Sequence, residues 1–335
     1  MKRPEQRFDY SALPQRDRWE LPNGAKVAVY TVVNIEEWNI EKPIAREYVT
    51  SPAGVVTVPN VPNWAWHEYG MRVGIWRIME AMAKRNLKAT AAINACVCKG
   101  AGEPVAKAML EAGWEFMGHG YHQAALHTVE DQRDNIRKSF ALLAAYTGKY
   151  PKGWLGPGLH ETLETLDYLA EAGFKYTCDW PMDEQPLEMR TSSKPIVSMP
   201  YSFELSDLPM MVVHHHQSQV WLDRVTGQFD RLYAEGANQP RVMSIQHSLF
   251  CRLFAHACST VLVFCQLVQP PDRRAYSAGP MAAMPDRHLF GPPAKLYRHR
   301  RGWNRIQNRL LQRLYSGREQ AHYVGPLTTN AGITP

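Results

Sequence analysis

Apolar and polar positions follow two alternating rhythms along this chain. After the turn signal Asn23-Gly24, the run Lys26-Val-Ala-Val-Tyr-Thr-Val-Val33 is almost wholly apolar and predicts a buried strand. The segment from Glu41 to Trp66 is interrupted by proline and reads as a loop too irregular for a helix. From Met71 to Arg85 the apolar residues Val73, Ile75, Trp76, Ile78, Met79 and Met82 recur at helical spacing. Further strands are predicted at Ala89 to Val97, Trp114 to Gly118, Gly153 to Leu155, Phe174 to Asp179, Ile196 to Tyr201, Met210 to Val213 and Arg241 to Gln246. Helices are predicted at Glu103 to Ala112, from Thr128-Val-Glu-Asp131 to Gly148, at Glu161 to Ala172 and at Gln217 to Glu235. Thr128 to Asp131 resembles a capping box, with Asp131 in place of Glu or Gln. Gly113, Gly173 and Gly236 follow three of these helices as terminators.

Strands alternating with helices of about ten residues or more imply βα units and a parallel sheet. Periodicity alone leaves a doubly wound sheet and a barrel both open. In either, chemistry belongs at the C-terminal ends of the strands.

Four polar clusters fall at those ends. The first is Asn34-Ile-Glu36-Glu37-Trp38, whose adjacent carboxylates repel. It reads either as a general base with a cation nearby or as a solvated loop pair. The second is His119-Gly-Tyr-His122, which suits a metal or a substrate carbonyl, or surface histidines. The third is Asp179-Trp180 with Asp183 and Glu184, where a carboxylate could position a neighbouring histidine or cap a turn. The fourth is His214-His215-His216; in a strand at most two of these could share a site. His247 follows the last predicted strand.

Composition narrows the class. The chain of 335 residues is 45% hydrophobic, ample for one large core. The N-terminal stretch has no apolar signal region, and no apolar run is long enough to cross a bilayer. The six cysteines form no paired CxxC motif; Cys96 and Cys98 read as small core residues on one face of a strand, which fits a reducing, cytoplasmic setting. The net charge of +6 is concentrated late: from Ser248 onward twelve Lys and Arg face three Asp and Glu. A mildly acidic body with a basic tail does not suit nucleic-acid binding, and the tail lacks the amphipathic stripe of a membrane anchor.

The clusters, in this order, resemble the polysaccharide deacetylase (NodB homology) family over about residues 20 to 247. The most specific stretches are Gly153-Trp-Leu-Gly-Pro-Gly-Leu159, Thr162-Leu-Glu-Thr-Leu-Asp-Tyr-Leu-Ala-Glu-Ala-Gly-Phe-Lys-Tyr176 and Cys178-Asp-Trp180. The resemblance implies a deformed (β/α) barrel and hydrolysis of a non-peptide carbon–nitrogen bond. The expected reaction is deacetylation of an amino sugar, with an allantoinase-like cyclic-amide hydrolase or an inactive ligand-binding barrel as alternatives. It further implies Glu36 as base, His247 as general acid, Asp179 as a catalytic partner, and a divalent metal, zinc, at Glu37 and His119, with His122 a candidate third ligand. The family's second histidine ligand falls on Gln123 and its arginine falls near Leu155. An amide is a weak ligand beside imidazole, so the metal set is incomplete. Trp38, Trp154, Pro157, Trp180 and His215 are the expected contacts to a small-molecule or oligosaccharide substrate. A homo-oligomer is compatible with all of this; a nucleic-acid or membrane partner is not expected.

Three segments follow: an N-terminal arm (1–20), the barrel (21–247) and a basic irregular tail (248–335). Beyond His247 the βα rhythm stops, prolines break most windows, and the positive charge is almost all arginine, with Lys295 the exception. A shift of reading frame near His247 would produce such a tail and leave the barrel incomplete at its C-terminus.

Overall fold

A computed structural model describes residues 3–248 except 45–46, 51–53 and 56, together with 275–277. In chain order the helices are α1 (Pro4–Arg7), α2 (Val61–Tyr69), α3 (Ile75–Ala83), α4 (Glu103–Glu111), α5 (Gln132–Thr147), α6 (Thr165–Ala172) and α7 (Ser218–Glu235). The strands are β1 (Val27–Ile35), β2 (Thr90–Ile93), β3 (Glu115–Gly118), β4 (Gly153–Trp154), β5 (Tyr176–Thr177), β6 (Leu187–Met189), β7 (Ile196–Ser198), β8 (Arg241–Ser248) and β9 (Ala275–Ser277). The sheet runs β6-β7-β5-β4-β3-β2-β1-β8, with β9 beside β1. All pairings are parallel except β6 with β7. Curled and flanked by helices, it is a deformed, incomplete (β/α) barrel.

β1 is apolar along its length because both of its faces are covered. Val27, Val29, Val33 and Ile35 join the helix-side core with Ile75, Ile78, Trp221 and Phe229. Ala28, Tyr30 and Val32 join the inner core with Met117, Cys178 and Tyr201. These two faces decide below which polar side chains can meet.

Several elements differ from the expected ones. Residues 61–83 form one helical rod, α2 and α3, joined by a π-helical turn at Gly70–Gly74. Pro62, which argued against a helix there, sits in the first turn, where a missing N–H costs nothing. Asn60 caps the rod by accepting from the Asn63 amide. The strand β2 ends at Ile93, and Cys96 and Cys98 lie buried in a 3-10 turn, Ala95–Lys99, rather than on a strand face. Pro209–Val213 is a π-helical turn, so His214 to His216 do not end a strand. Asp131, three residues after Thr128, is itself the cap of α5 and accepts from the Asp134 amide. Gly148 and Gly173 close α5 and α6 in the left-handed region, as their positions predicted.

The N-terminal arm is fastened to the barrel through its charges. Arg7 is 1% exposed and grips both Asp167 oxygens, at 2.8 and 2.9 Å, and the Arg190 carbonyl at 3.0 Å. Such a forked contact satisfies a buried guanidinium that could not otherwise leave water. Arg16 pairs in the same way with Asp183, and Trp19 is wholly buried. Of the basic tail only β9 is described, parallel to β1 at Val27–Val29; the expected change of reading frame otherwise lies outside the described residues.

Candidate functional site

The strand register sets one row of residues just past the sheet's C-terminal edge. Ile35, Ile93 and Gly118 are register partners, so Glu36, Asn94 and His119 follow side by side. Gly118 pairs with Trp154, which brings Leu155 level with His119.

Asn94 ties the row together and is fully buried. Its Oδ1 accepts from the Glu37 amide at 2.8 Å, while its Nδ2 donates to the His119 carbonyl and, at 3.1 Å, to Gln123 Oε1. Sequence reading passed over Asn94 because the surrounding run is apolar. A lone amide inside such a run was the available signal, since a buried amide needs partners.

Glu36 and His119 form the centre. His119 Nε2 lies 3.4 Å from Glu36 Oε1, and both residues are almost fully buried. Trp38 Nε1 donates to the other Glu36 oxygen at 2.7 Å, and the Trp38 ring stacks on His67 of α2 at 5.0 Å. His119 Nδ1 is 2.6 Å from the Leu155 carbonyl. A carbonyl oxygen only accepts, so Nδ1 carries the hydrogen and Nε2 is turned to Glu36. The arrangement can take a proton at Glu36 and support it from the imidazole behind.

Asp179 borders the same space. Both of its oxygens accept from the Gly156 amide, at 2.7 and 2.9 Å, and His119 acts on it electrostatically. Its companion is Glu161, which accepts from Trp180 Nε1 at 2.8 Å. Burial, and then the Asp179 carboxylate, push the Glu161 carboxyl well above the usual carboxylate range. Burial raises Asp179 as well, against the Glu161 hydrogen bond and the Gly156 amide. The pair therefore holds a proton that an unfolded chain would release. A raised acid favours the fold at low pH, and that contribution is lost as pH rises from the ordinary carboxylate range toward the folded value. Glu161→Gln keeps an acceptor for Trp180 and a donor for Asp179. We expect it to be at least as stable as the parent at neutral pH, with a flatter dependence of urea midpoint on pH. A midpoint that falls with pH as steeply as the parent's would show that Glu161 is not the proton holder.

His247 does not join this centre. It lies within β8, level with Val33, and shares the helix-side face with Met243 and Ile245. Its ring sits 5.9 Å from Trp221, with Nδ1 3.6 Å from Asp207 Oδ2. Asp207, fully buried, accepts from the Ser248 amide at 2.9 and 3.0 Å. Glu36 and His119 follow β1 and β3, and Asp207, Asp179 and Glu36 all act electrostatically on Tyr201.

The other expected residues scatter. Trp154 is fully buried against Phe174 in a core with Ile136, Leu166 and Leu169, so it offers no face to a substrate. Pro157 is buried in the loop after β4, and Trp180 is half-buried at its rim. His215 is exposed, with φ 54°, in the loop after the π-helical turn. The loop after β3 turns at Gly120, φ 76°, between His119 and His122. His122 comes beside Glu37 and Cys96, the three donor atoms lying within 4.8 Å of one another. Cys96, on the misread 3-10 turn, was not among the expected ligands.

Residues 67–177 match the polysaccharide deacetylase family model. A Schizosaccharomyces pombe protein named as a polysaccharide deacetylase is 28% identical over 261 residues, 69% of this chain and 80% of that protein. The Helicobacter pylori peptidoglycan deacetylase is 28% identical over 201 residues, 49% of this chain and 67% of its own. Over these stretches the chain is similar to the polysaccharide deacetylase family. Among solved structures, one named as a polysaccharide deacetylase from Pseudomonas aeruginosa superposes with a TM-score of 0.66 at 25% identity, over 76% of this chain and 88% of that one. Puue allantoinase superposes with a TM-score of 0.72 at 24% identity, over 83% of this chain and 95% of that one, a likeness of fold.

The metal set implied by the family resemblance lies on the loops after β1 and β3. His119 spends Nδ1 on the Leu155 carbonyl and turns Nε2 to Glu36. The Gln123 oxygen is taken by Asn94. Glu37, one residue past Glu36, keeps a buried Oε2 with no nitrogen or oxygen partner. His119 Nε2 is likewise buried without a hydrogen-bond partner, so each keeps a donor atom open.

Proposed function

We propose that this chain hydrolyses the carbon–nitrogen bond of an acetamido group on an amino sugar. The observation that carries the reading is the enclosed Glu36–His119 pair at the sheet's C-terminal edge, in a chain similar to the deacetylase family. Glu36 takes a proton from water as the water oxygen attacks the carbonyl. His119, fixed through Nδ1, stands behind Glu36 and balances the charge that moves through it. The same Glu36 then returns the proton to the leaving nitrogen, releasing acetate and a free amine. Assigning both transfers to Glu36 follows from His247 lying on the helix-side face of the sheet. Asp179, held by the Gly156 amide, acts on His119 through its charge, and Trp180 at the rim offers its ring to a sugar face.

We propose a reducing, cytoplasmic setting as well, in which the buried Cys96, Cys98 and Cys178 stay free thiols. Among the described residues no helix is long and apolar enough to cross a membrane.

Acetate release from acetylated chito-oligomers, with allantoin as a parallel substrate, tests the reading. We expect turnover of the oligomers. Turnover of allantoin alone would move the protein to cyclic amides, and binding of either without turnover would make it a ligand-binding barrel.

A further inference from the structure

We propose that Glu37, Cys96 and His122 form a site for a borderline-soft divalent cation, zinc above all. This set keeps Glu37 and His122 of the expected ligands but puts Cys96 in the place of His119, and it does not depend on the hydrolase reading. Its three members come from three loops at the sheet's C-terminal edge: Glu37 after β1, Cys96 after β2, and His122 after β3. Each offers a different donor, and the three atoms lie within 4.8 Å of one another.

Backbone contacts hold the loops in place. The Ala95 amide donates to the Gly120 carbonyl at 3.0 Å, and the Cys96 amide to the Tyr121 carbonyl at 3.1 Å. The Glu37 amide is fixed by Asn94 at 2.8 Å. One ligand point is therefore set by loops already fastened together.

Two further observations point to a ligand. Glu37 Oε2 is buried with no nitrogen or oxygen partner, and the Cys96 thiol is the group that bonds to Glu37; an ion would take the place of that thiol proton. Gly100 stands over that oxygen, and an added Cβ there would lie 2.8 Å from it. The absent side chain keeps the space beside Glu37 clear.

The chemistry selects the ion. Imidazole, thiolate and carboxylate together suit zinc, whereas magnesium and calcium take oxygen ligands alone. With bonds of about 2.0–2.3 Å, tetrahedral ligands sit roughly 3.3–3.8 Å apart, so closure requires a shift of about 1 Å. His122, exposed on its loop, is free to make it. Three protein ligands leave a fourth position on the His122 side, where solvent can enter.

Cobalt(II) titration of the metal-stripped full chain tests the site, because cobalt bound to thiolate gives a charge-transfer absorption that histidine-only binding lacks. This matters because the exposed His214 and His215 will also collect cobalt. We expect one equivalent to produce the thiolate band and zinc to displace it. Cys96→Ser should abolish the band. His122→Ala, an exposed change that leaves the core untouched, should weaken binding at least as much as loss of an outer-shell partner, about 10–100-fold. His119→Ala should keep the band. No band in the parent, or a band that survives Cys96→Ser, overturns the proposal. Loss of the band in His119→Ala alone, with the other two variants unaffected, would return the metal to His119.

Discussion

Glu36→Gln should abolish turnover while leaving the protein folded. The amide is isosteric with the carboxylate, and its oxygen can still accept from Trp38 Nε1, which now approaches at 2.7 Å. The stack of Trp38 on His67 and the hold of Leu155 on His119 involve neither Glu36 oxygen, so the surrounding shell is kept. What disappears is the ability to take a proton. Loss of a general base costs about 10²–10⁴-fold in rate. The upper part of that range is expected, because the proposed cycle uses Glu36 twice, first for water and then for the leaving nitrogen. The loss should appear in kcat with KM nearly unchanged, since substrate binding does not need the charge. A folded variant with near-parental turnover would remove Glu36 from the chemistry. If His247→Ala instead brought kcat down to the same extent without loss of stability, the acid step would pass to His247.

The barrel was legible from the βα rhythm and from the resemblance to the family, and much of the site was not. Glu36, His119 and Asp179 could be placed because each stands at or just beyond a strand's C-terminal end, where side chains from different strands converge. For His247 the strand boundary decided the expected orientation. Read as following a strand that ended at Gln246, it seemed free to turn inward. In fact β8 runs to Ser248, so parity with Met243 and Ile245 fixes it on the helix side. Alternation gives a face only when the strand's end is known, and ends are where hydrophobic pattern is weakest. Cys96 was lost for a related reason. The run from Ala89 to Val97 is mostly apolar, and only the lone amide Asn94 marks the change from strand to 3-10 turn. Asp207 has no neighbouring motif at all; it becomes visible only when a turn near residue 206 is laid against β8.

Gly153→Ala should cost the protein about 4 kcal/mol or more, the largest stability effect expected of any single methyl group here. Gly153 belongs to β4, and its register partner on β5 is Tyr176. The Tyr176 ring lies flat across the place of the missing side chain: an added Cβ would fall 2.0 Å from Cζ, 2.2 Å from the hydroxyl oxygen and 2.3 Å from Cε2. That ring cannot step aside cheaply. It is fully buried among Tyr30, Met117 and Cys178, and its hydroxyl donates to Glu115 Oε1 at 2.8 Å. Overpacking a rigid core costs about 1–3 kcal/mol. Breaking a buried hydrogen bond to an ionised acceptor adds about 1.5–3 kcal/mol. Against a typical total of about 5–15 kcal/mol, the sum leaves little margin, and much of the protein should be recovered as aggregate. The strain is specific to one pair, so it should be non-additive. Tyr176→Leu in the Gly153→Ala background should recover part of the lost stability, although Tyr176→Leu alone is destabilising. Urea unfolding of the four proteins in that cycle measures the coupling. If the two changes simply add, Gly153 is not there to make room for Tyr176, and the close approach of β4 and β5 needs another cause.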